Sequence, residues 1–299
     1  MSHRQAEKEF LNLIVPQGIL NVVFFLFTSK NQEIGEIIQI NNTYNLKVSN
    51  FNPNYPTRII IHGWRNRHNS AVNRFIREAY LKVGKYNIIV VDWSSAADTY
   101  NYISARYSVE YVGNYVAEFI DFLQRENHLF LYTLIVIGHS LGAHVAGYAG
   151  QTIKTGKIPI IYGLDPAYPL FSLDNIDERL SDDDAEYVET IQTNAGILGF
   201  KIPIGITTFY PNWGLYQDGC GYDWNGQCSH QRAYKYFAES ILKNNFIAIG
   251  CETYDEFLKK NCSKPTKLTK MASLENYSKT KGIFYLGTNE HFPYGRGNN

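Results

Sequence analysis

Apolar residues along this chain fall into two rhythms. Short runs rich in β-branched residues, such as Ile59-Ile60-Ile61 and Ile88-Ile89-Val90-Val91, alternate with longer stretches whose apolar positions recur at helical spacing. The pattern predicts strands at Val22–Phe27, Arg58–His62, Asn87–Asp92, Thr133–Ile137, Ile158–Leu164 and Val188–Gln192. It predicts helices at Ala71–Val83, Val109–Gln124, Leu141–Ile153 and His230–Lys243. Near-continuous apolar runs suit strands covered on both faces. Strands alternating with helices point to an α/β fold, a mostly parallel central sheet flanked by helices. The acidic segment Leu173–Asp184 and the segment Asp218–Gln227, with its three glycines, read as surface loops. No internal repeat or low-complexity linker divides the chain, so one domain is expected over 1–299. Within it, 1–18 read as an N-terminal extension or leader, 19–290 as the core and 291–299 as a tail.

Composition then removes whole classes of function. A chain of 299 residues with 44% hydrophobic and 19% charged residues has the material for a folded core. Formal net charge is +0, and no block of like charges offers the basic face that nucleic acid requires, so no nucleic-acid partner is expected. No apolar run approaches the roughly 20 residues of a transmembrane helix. The nearest, Ile19–Phe27, is too short to span. It also follows a charged stretch (Arg4, Glu7, Lys8, Glu9) and lacks a small-residue cleavage site, so it reads as a strand and no secretory signal is visible.

The four cysteines, Cys220, Cys228, Cys251 and Cys262, permit three complete pairings, and spacing alone does not choose among them. The short loops Cys220–Cys228 and Cys251–Cys262 are the simplest closure. No C-x2-C spacing suggests zinc. Two disulfides would imply an oxidising compartment, and sequons at Asn41, Asn261 and Asn276 agree with export.

Candidate chemistry concentrates where the fourth predicted strand ends. The strand at Thr133–Ile137 runs into Gly138-His139-Ser140-Leu141-Gly142, and a helix rich in small residues (Ala143, Ala146, Gly147) follows. This is the strand–turn–helix context of the G-x-S-x-G nucleophile elbow. Glycines flank the serine because so sharp a turn brings neighbouring backbone too close for side chains. A serine hydroxyl is a weak nucleophile and needs a base oriented by a carboxylate. On such a sheet the chain order is serine, acid, histidine. Asp165 ends the strand Ile158–Leu164 after Ser140, whereas Asp92 ends a strand before it. Of eight histidines only His230 and His291 follow Asp165. His230 stands beside Cys228 and is the favoured base; His139 and His144 read as structural. The backbone N–H of Leu141 and that of Trp64, in the turn His62-Gly63-Trp64, are the candidate oxyanion donors.

At this point the chain resembles the pancreatic lipase family, and within it insect neutral lipases and wasp-venom phospholipases A1. The resemblance runs from about residue 20 to 290. It rests on Ile61-His62-Gly63-Trp64, Val91-Asp92-Trp93, Ile137 to His144, Gly163-Leu164-Asp165-Pro166-Ala167, Asp184-Ala185-Glu186-Tyr187-Val188 and Cys228 to Ala233. It implies an α/β-hydrolase fold, triad roles for Ser140, Asp165 and His230, an oxyanion hole at Trp64 and Leu141, and disulfides Cys220–Cys228 and Cys251–Cys262. No C-terminal β-sandwich domain and no colipase are expected. Between Cys220 and Cys228 lie seven residues, GYDWNGQ, where pancreatic lipase has a long lid. Tyr222 and Trp224 in that short lid, and Ile197, Leu198 and Phe200 in the loop Asn194–Gly205, are candidate lipid contacts, with ordinary packing the alternative for the second set.

Arg179 and Asp184 fall at the family's calcium positions, but Ser181 stands where a carboxylate is usual, so no metal or other cofactor is expected. The implied function is that of a secreted lipid carboxylic ester hydrolase acting at a membrane, lipid-droplet or micelle surface. Phospholipase A1-type cleavage leads, and neutral-glyceride hydrolysis is the alternative. A non-catalytic yolk-type lipid binder on the same fold is disfavoured because all three triad candidates are present.

Overall fold

The β-branched runs do form the heart of a sheet. A computed structural model describes residues 20–262, 268–277 and 279–297, so the expected extension over 1–18 lies outside the described residues. The strands are β1 (Val23–Phe27), β2 (Glu36–Ile38), β3 (Thr57–Ile61), β4 (Asn87–Asp92), β5 (Ile135–His139), β6 (Ile160–Leu164), β7 (Tyr187–Ile191), β8 (Thr207–Pro211), β9 (Ile247–Cys251), β10 (Leu268–Lys270) and β11 (Gly282–Leu286). They join in one sheet of order β10-β9-β11-β8-β7-β6-β5-β3-β4-β1-β2. From β4 through β3, β5, β6, β7 and β8 to β11 every pairing is parallel. Antiparallel pairs β1–β2 and β9–β10 extend the two edges.

The principal helices are α1 (Thr43–Val48), α2 (Ala71–Val83), α3 (Ser94–Ala97), α4 (Tyr102–Tyr107), α5 (Val109–Arg125), α6 (Leu141–Thr152), α7 (Gln227–Leu242) and α8 (Tyr254–Leu258). Successive side chains of a strand point to opposite faces, and here both faces are covered. Ile59 and Ile61 join one buried cluster with α5 and α6, while Ile60 joins another with α2 and α7. Each such isoleucine, removed from water, contributes roughly 1.5–3 kcal/mol. The architecture is that of an α/β-hydrolase.

Boundaries depart from the sequence expectations in explicable ways. Thr133 belongs to a 3₁₀ turn, Leu131–Thr133, with its hydroxyl donating to the Phe130 carbonyl, so β5 begins only at Ile135. The first, second, fifth and sixth predicted strands shift by one or two residues, and the last predicted helix starts at Gln227 rather than His230. Strands β2, β8, β9, β10 and β11 were not anticipated. The acidic segment is a surface loop only in part, because Arg179, Leu180, Ser181 and Asp184 are buried behind α6. Cys220 bonds to Cys228 and Cys251 to Cys262, the short-loop pairing. The Asn276 side chain is 2% exposed and donates to Glu189 Oε2 at 3.1 Å, so its sequon presents no accessible amide. Among the described residues no helix is long and apolar enough to cross a membrane.

Candidate active site

In a parallel sheet covered by helices, functional groups collect at the carboxyl ends of the strands. Here the ends of β3, β5 and β6 carry Gly63-Trp64, Ser140 and Asp165. Ser140 has φ 58°, a left-handed conformation that costs a non-glycine residue free energy and is held only by its surroundings. Those surroundings are tight: a Cβ on Gly138 would lie 2.1 Å from the Gly142 carbonyl oxygen. Ser140 on this strained turn lines a pocket of about 410 Å³, which His230 also lines. As first residue of α6, Leu141 has an N–H that no intrahelical carbonyl can accept, and it projects outward from the helix's positive end. The turn after β3 is pressed onto the serine, for a Cβ on Gly63 would lie 2.7 Å from that of Ser140. Trp64 follows in the pocket wall, its indole donating to Thr99 O at 2.7 Å.

Asp165 is wholly buried, with φ 43°. Its Oδ1 accepts the backbone N–H groups of Thr193 (2.7 Å) and Asn194 (3.0 Å), and its Oδ2 meets His230 Nδ1 at 2.5 Å. That pairing places the proton on Nδ1 and leaves Nε2 of the imidazole as a base. His139 stacks beside His230, ring centroids 4.6 Å apart, and its Nε2 faces the His230 carbonyl at 3.2 Å. Burial first, and the neighbouring His230 second, push His139 well below the usual imidazole range. His144 is buried too: Nδ1 accepts Leu180 N–H at 3.0 Å, Nε2 donates to Ala167 O at 2.7 Å, and burial lowers its pKa to about 3. Both therefore remain neutral supports. His291, the other candidate base, is exposed on the tail.

The loop candidates separate. Leu198 lines the pocket. Ile197 is half-buried beside it, and Tyr222 and Trp224 stand out in solvent at 92% and 78% exposure. Phe200 corrects the expectation of a surface contact: it is 1% exposed, packed in the core against His144 and Tyr168.

Two supporting residues escaped the sequence reading. Asp223, inside the short lid, accepts the N–H groups of Cys228 (3.1 Å) and Ser229 (2.7 Å) and so caps the helix that bears His230. Buried Gln217 donates to Thr193 O (3.0 Å) and Pro211 O (2.9 Å), while its own N–H goes to Ser229 Oγ (3.0 Å). It thus ties the acid's loop to the histidine's helix. An aspartate and a glutamine among loop residues carry no sequence signal of such roles.

The calcium positions do not suit a cation. Asp184 Oδ2 accepts Ser181 N–H at 2.8 Å, Oδ1 accepts the Gln151 amide at 3.0 Å, and burial raises its pKa to about 7. Gln151 also donates to the Arg179 carbonyl at 3.3 Å. Donors already occupy the oxygens that a hard cation would need.

The Lipase family model matches residues 2–294. Phospholipase A1 of Polybia paulista is 32% identical over 93% of this chain and 90% of that protein. Pancreatic triacylglycerol lipase of Ictidomys tridecemlineatus is 32% identical over 93% of this chain and 65% of that one. Inactive pancreatic lipase-related protein 1 of Mus musculus is 34% identical over 81% of this chain and 56% of that one. The chain thus spans little more than half of some relatives it matches. The family match takes in every strand from β1 to β11 together with the elbow and its helix, and the chain belongs to the Lipase family.

Proposed function

We propose that the chain hydrolyses lipid carboxylic esters, with the first ester of glycerophospholipids as its preferred bond, through Ser140, His230 and Asp165. One observation carries the reading: the His230–Asp165 contact of 2.5 Å in the wall of the pocket that holds Ser140 on its strained turn. Family membership alone would not suffice, since one relative is named inactive.

In this scheme His230 Nε2 takes the Ser140 proton as Oγ attacks the acyl carbonyl. Nδ1–H stays on Asp165, which stabilises the imidazolium. The Leu141 and Trp64 N–H groups hold the oxyanion, each contributing about 3–4 kcal/mol to the transition state. His230 then protonates the departing glycerol oxygen, leaving an acyl-serine. Water, deprotonated by the same base, releases the fatty acid and restores Ser140. Apart from the lipid and the hydrolytic water, every group in the scheme comes from the chain.

Three features support phospholipid. Four polar side chains, Asn66, Asn225, Gln227 and Gln231, line the pocket. Only seven residues bridge Cys220 and Cys228, so little chain covers the site. The match to the Polybia phospholipase A1 spans nearly all of both chains. Neutral glyceride is the second reading, favoured by the apolar wall of Trp64, Tyr102, Pro169 and Leu198. The exposed Tyr222 and Trp224 suit the surface of a membrane or micelle, and two disulfides suit secretion. Product analysis on mixed-chain phosphatidylcholine and triglyceride in parallel tests the substrate. Release of only the first-position fatty acid from the phospholipid is expected; cleavage of triglyceride alone would overturn the preference.

A further inference from the structure

The catalytic pocket has one permanent cation. Among its described lining residues Arg65 is the sole lysine or arginine, and no carboxylate side chain lines it. Arg65 directly follows Trp64, so its position is fixed relative to the oxyanion turn. Its N–H donates to Ala97 O at 2.8 Å and its φ is 55°. Like Ser140, which also lines the pocket, it holds a positive φ without being glycine, which marks a placement the surroundings enforce. The guanidinium lies over the Tyr100 ring at 4.7 Å and at the margin of the Trp64 ring at 5.9 Å. Arg67, two residues on, is neutralised by Asp98. Arg65 has no such carboxylate among the described residues, and its side chain is exposed.

An arginine in this state is a ready anion receptor. Its planar fork matches two oxygens of a phosphate, and stacking on aromatic faces fixes the fork before the ligand arrives. We propose that Arg65 recognises the phosphodiester of a glycerophospholipid whose first acyl carbonyl lies at Ser140. The proposal rests on the phospholipid reading above and gives it a residue. In such a lipid only the three glycerol carbons and one oxygen separate the cleaved ester from phosphorus, so carbonyl and phosphate can be held by adjacent residues, Trp64 and Arg65. A triglyceride has no anion to offer, which makes the arginine a specificity determinant.

The test uses the full chain, Arg65→Gln and Arg65→Lys, with monomeric dihexanoylphosphatidylcholine and p-nitrophenyl butyrate as substrates. Losing a charge-assisted fork is expected to lower kcat/KM for the phospholipid about tenfold more than for the nitrophenyl ester, chiefly through KM, with partial rescue by lysine. Equal losses on both substrates would reduce Arg65 to a support of the turn and overturn the proposal.

A competition assay separates it from the substrate reading. The phospholipid should inhibit nitrophenyl-ester hydrolysis by wild type whether or not it is itself cleaved, and its inhibition constant should rise about tenfold in Arg65→Gln. Binding that needs Arg65 without turnover would sink the phospholipase reading and keep this one. Inhibition equal in both proteins, or absent from wild type, would sink this one and leave turnover to judge the other. Equal inhibition by inorganic phosphate at the same concentration would show a site for free phosphate and overturn the lipid assignment.

Discussion

Two loops frame the Ser140 pocket, and they are held by opposite means. The loop from Asn194 to Gly205 is built into the core. Phe200 lies against His144, with ring centroids 5.8 Å apart, and the N–H groups at its start grip Asp165. Even Gly199 is pressed there, since a Cβ on it would lie 2.4 Å from Asp165 Oδ1. The loop between Cys220 and Cys228 is instead tethered at its ends by a disulfide and in its middle by Asp223, while its rings face solvent. The first loop therefore sets the geometry of the acid, and the second is free to meet a surface. A hydrophobic residue in a loop thus has two fates, and the partner beneath it decides which.

The largest effect should come from breaking the first loop's tie to the histidine. Asp165→Asn keeps the shape but presents an amide to His230 Nδ1, which favours the wrong tautomer. A fall of about 10³–10⁴ in kcat on a soluble ester is expected; a loss under about tenfold would mean that Asp165 is not the orienting acid.

Next in size is a paired stability measurement that puts the two loops side by side. Phe200→Ala should destabilise the protein by about 3–5 kcal/mol in urea unfolding, and Trp224→Ala by less than about 0.5 kcal/mol. Trp224→Ala should instead lower hydrolysis of vesicle lipid more than that of a soluble ester. Similar destabilisation by both variants would erase the distinction between the loops.

The meeting of Ser140, His230 and Asp165 was legible because each lies in a contiguous motif at a strand end or disulfide, where chain order restricts the choice. Strand β8 was not, because its buried positions include Thr207 and Thr208. Their hydroxyls are satisfied by Thr280 O and by Thr190, so polar residues occupy a core strand and blur the apolar pattern. Strands β9 and β11 sit toward the antiparallel edge with half-exposed residues and weaker runs. Phe200 was ambiguous for a related reason. Its burial depends on His144, a residue over fifty positions away, and no local pattern reports such a partner.

The smallest expected effect tests that same contact through pH. Burial holds His144 neutral to about pH 3, against 6.5 for the unperturbed ring. Above 6.5 neither folded nor unfolded chain protonates it. As pH falls from 6.5 toward 3 the unfolded chain takes up a proton that the folded one refuses, so stability is lost across that window. Urea midpoints at pH 7.5 and 4.5 should therefore differ less in His144→Phe than in wild type, whatever the variant's absolute stability. An unchanged difference would contradict the neutral assignment.

Activation of Ser140 as a nucleophile by His230 is tested most directly by labelling with a fluorophosphonate and locating the adduct by mass spectrometry. A single adduct on Ser140 is expected in the folded wild type, strongly slowed in His230→Ala and absent in Ser140→Ala. A folded wild type that takes no label, or takes it equally well without His230, would contradict it.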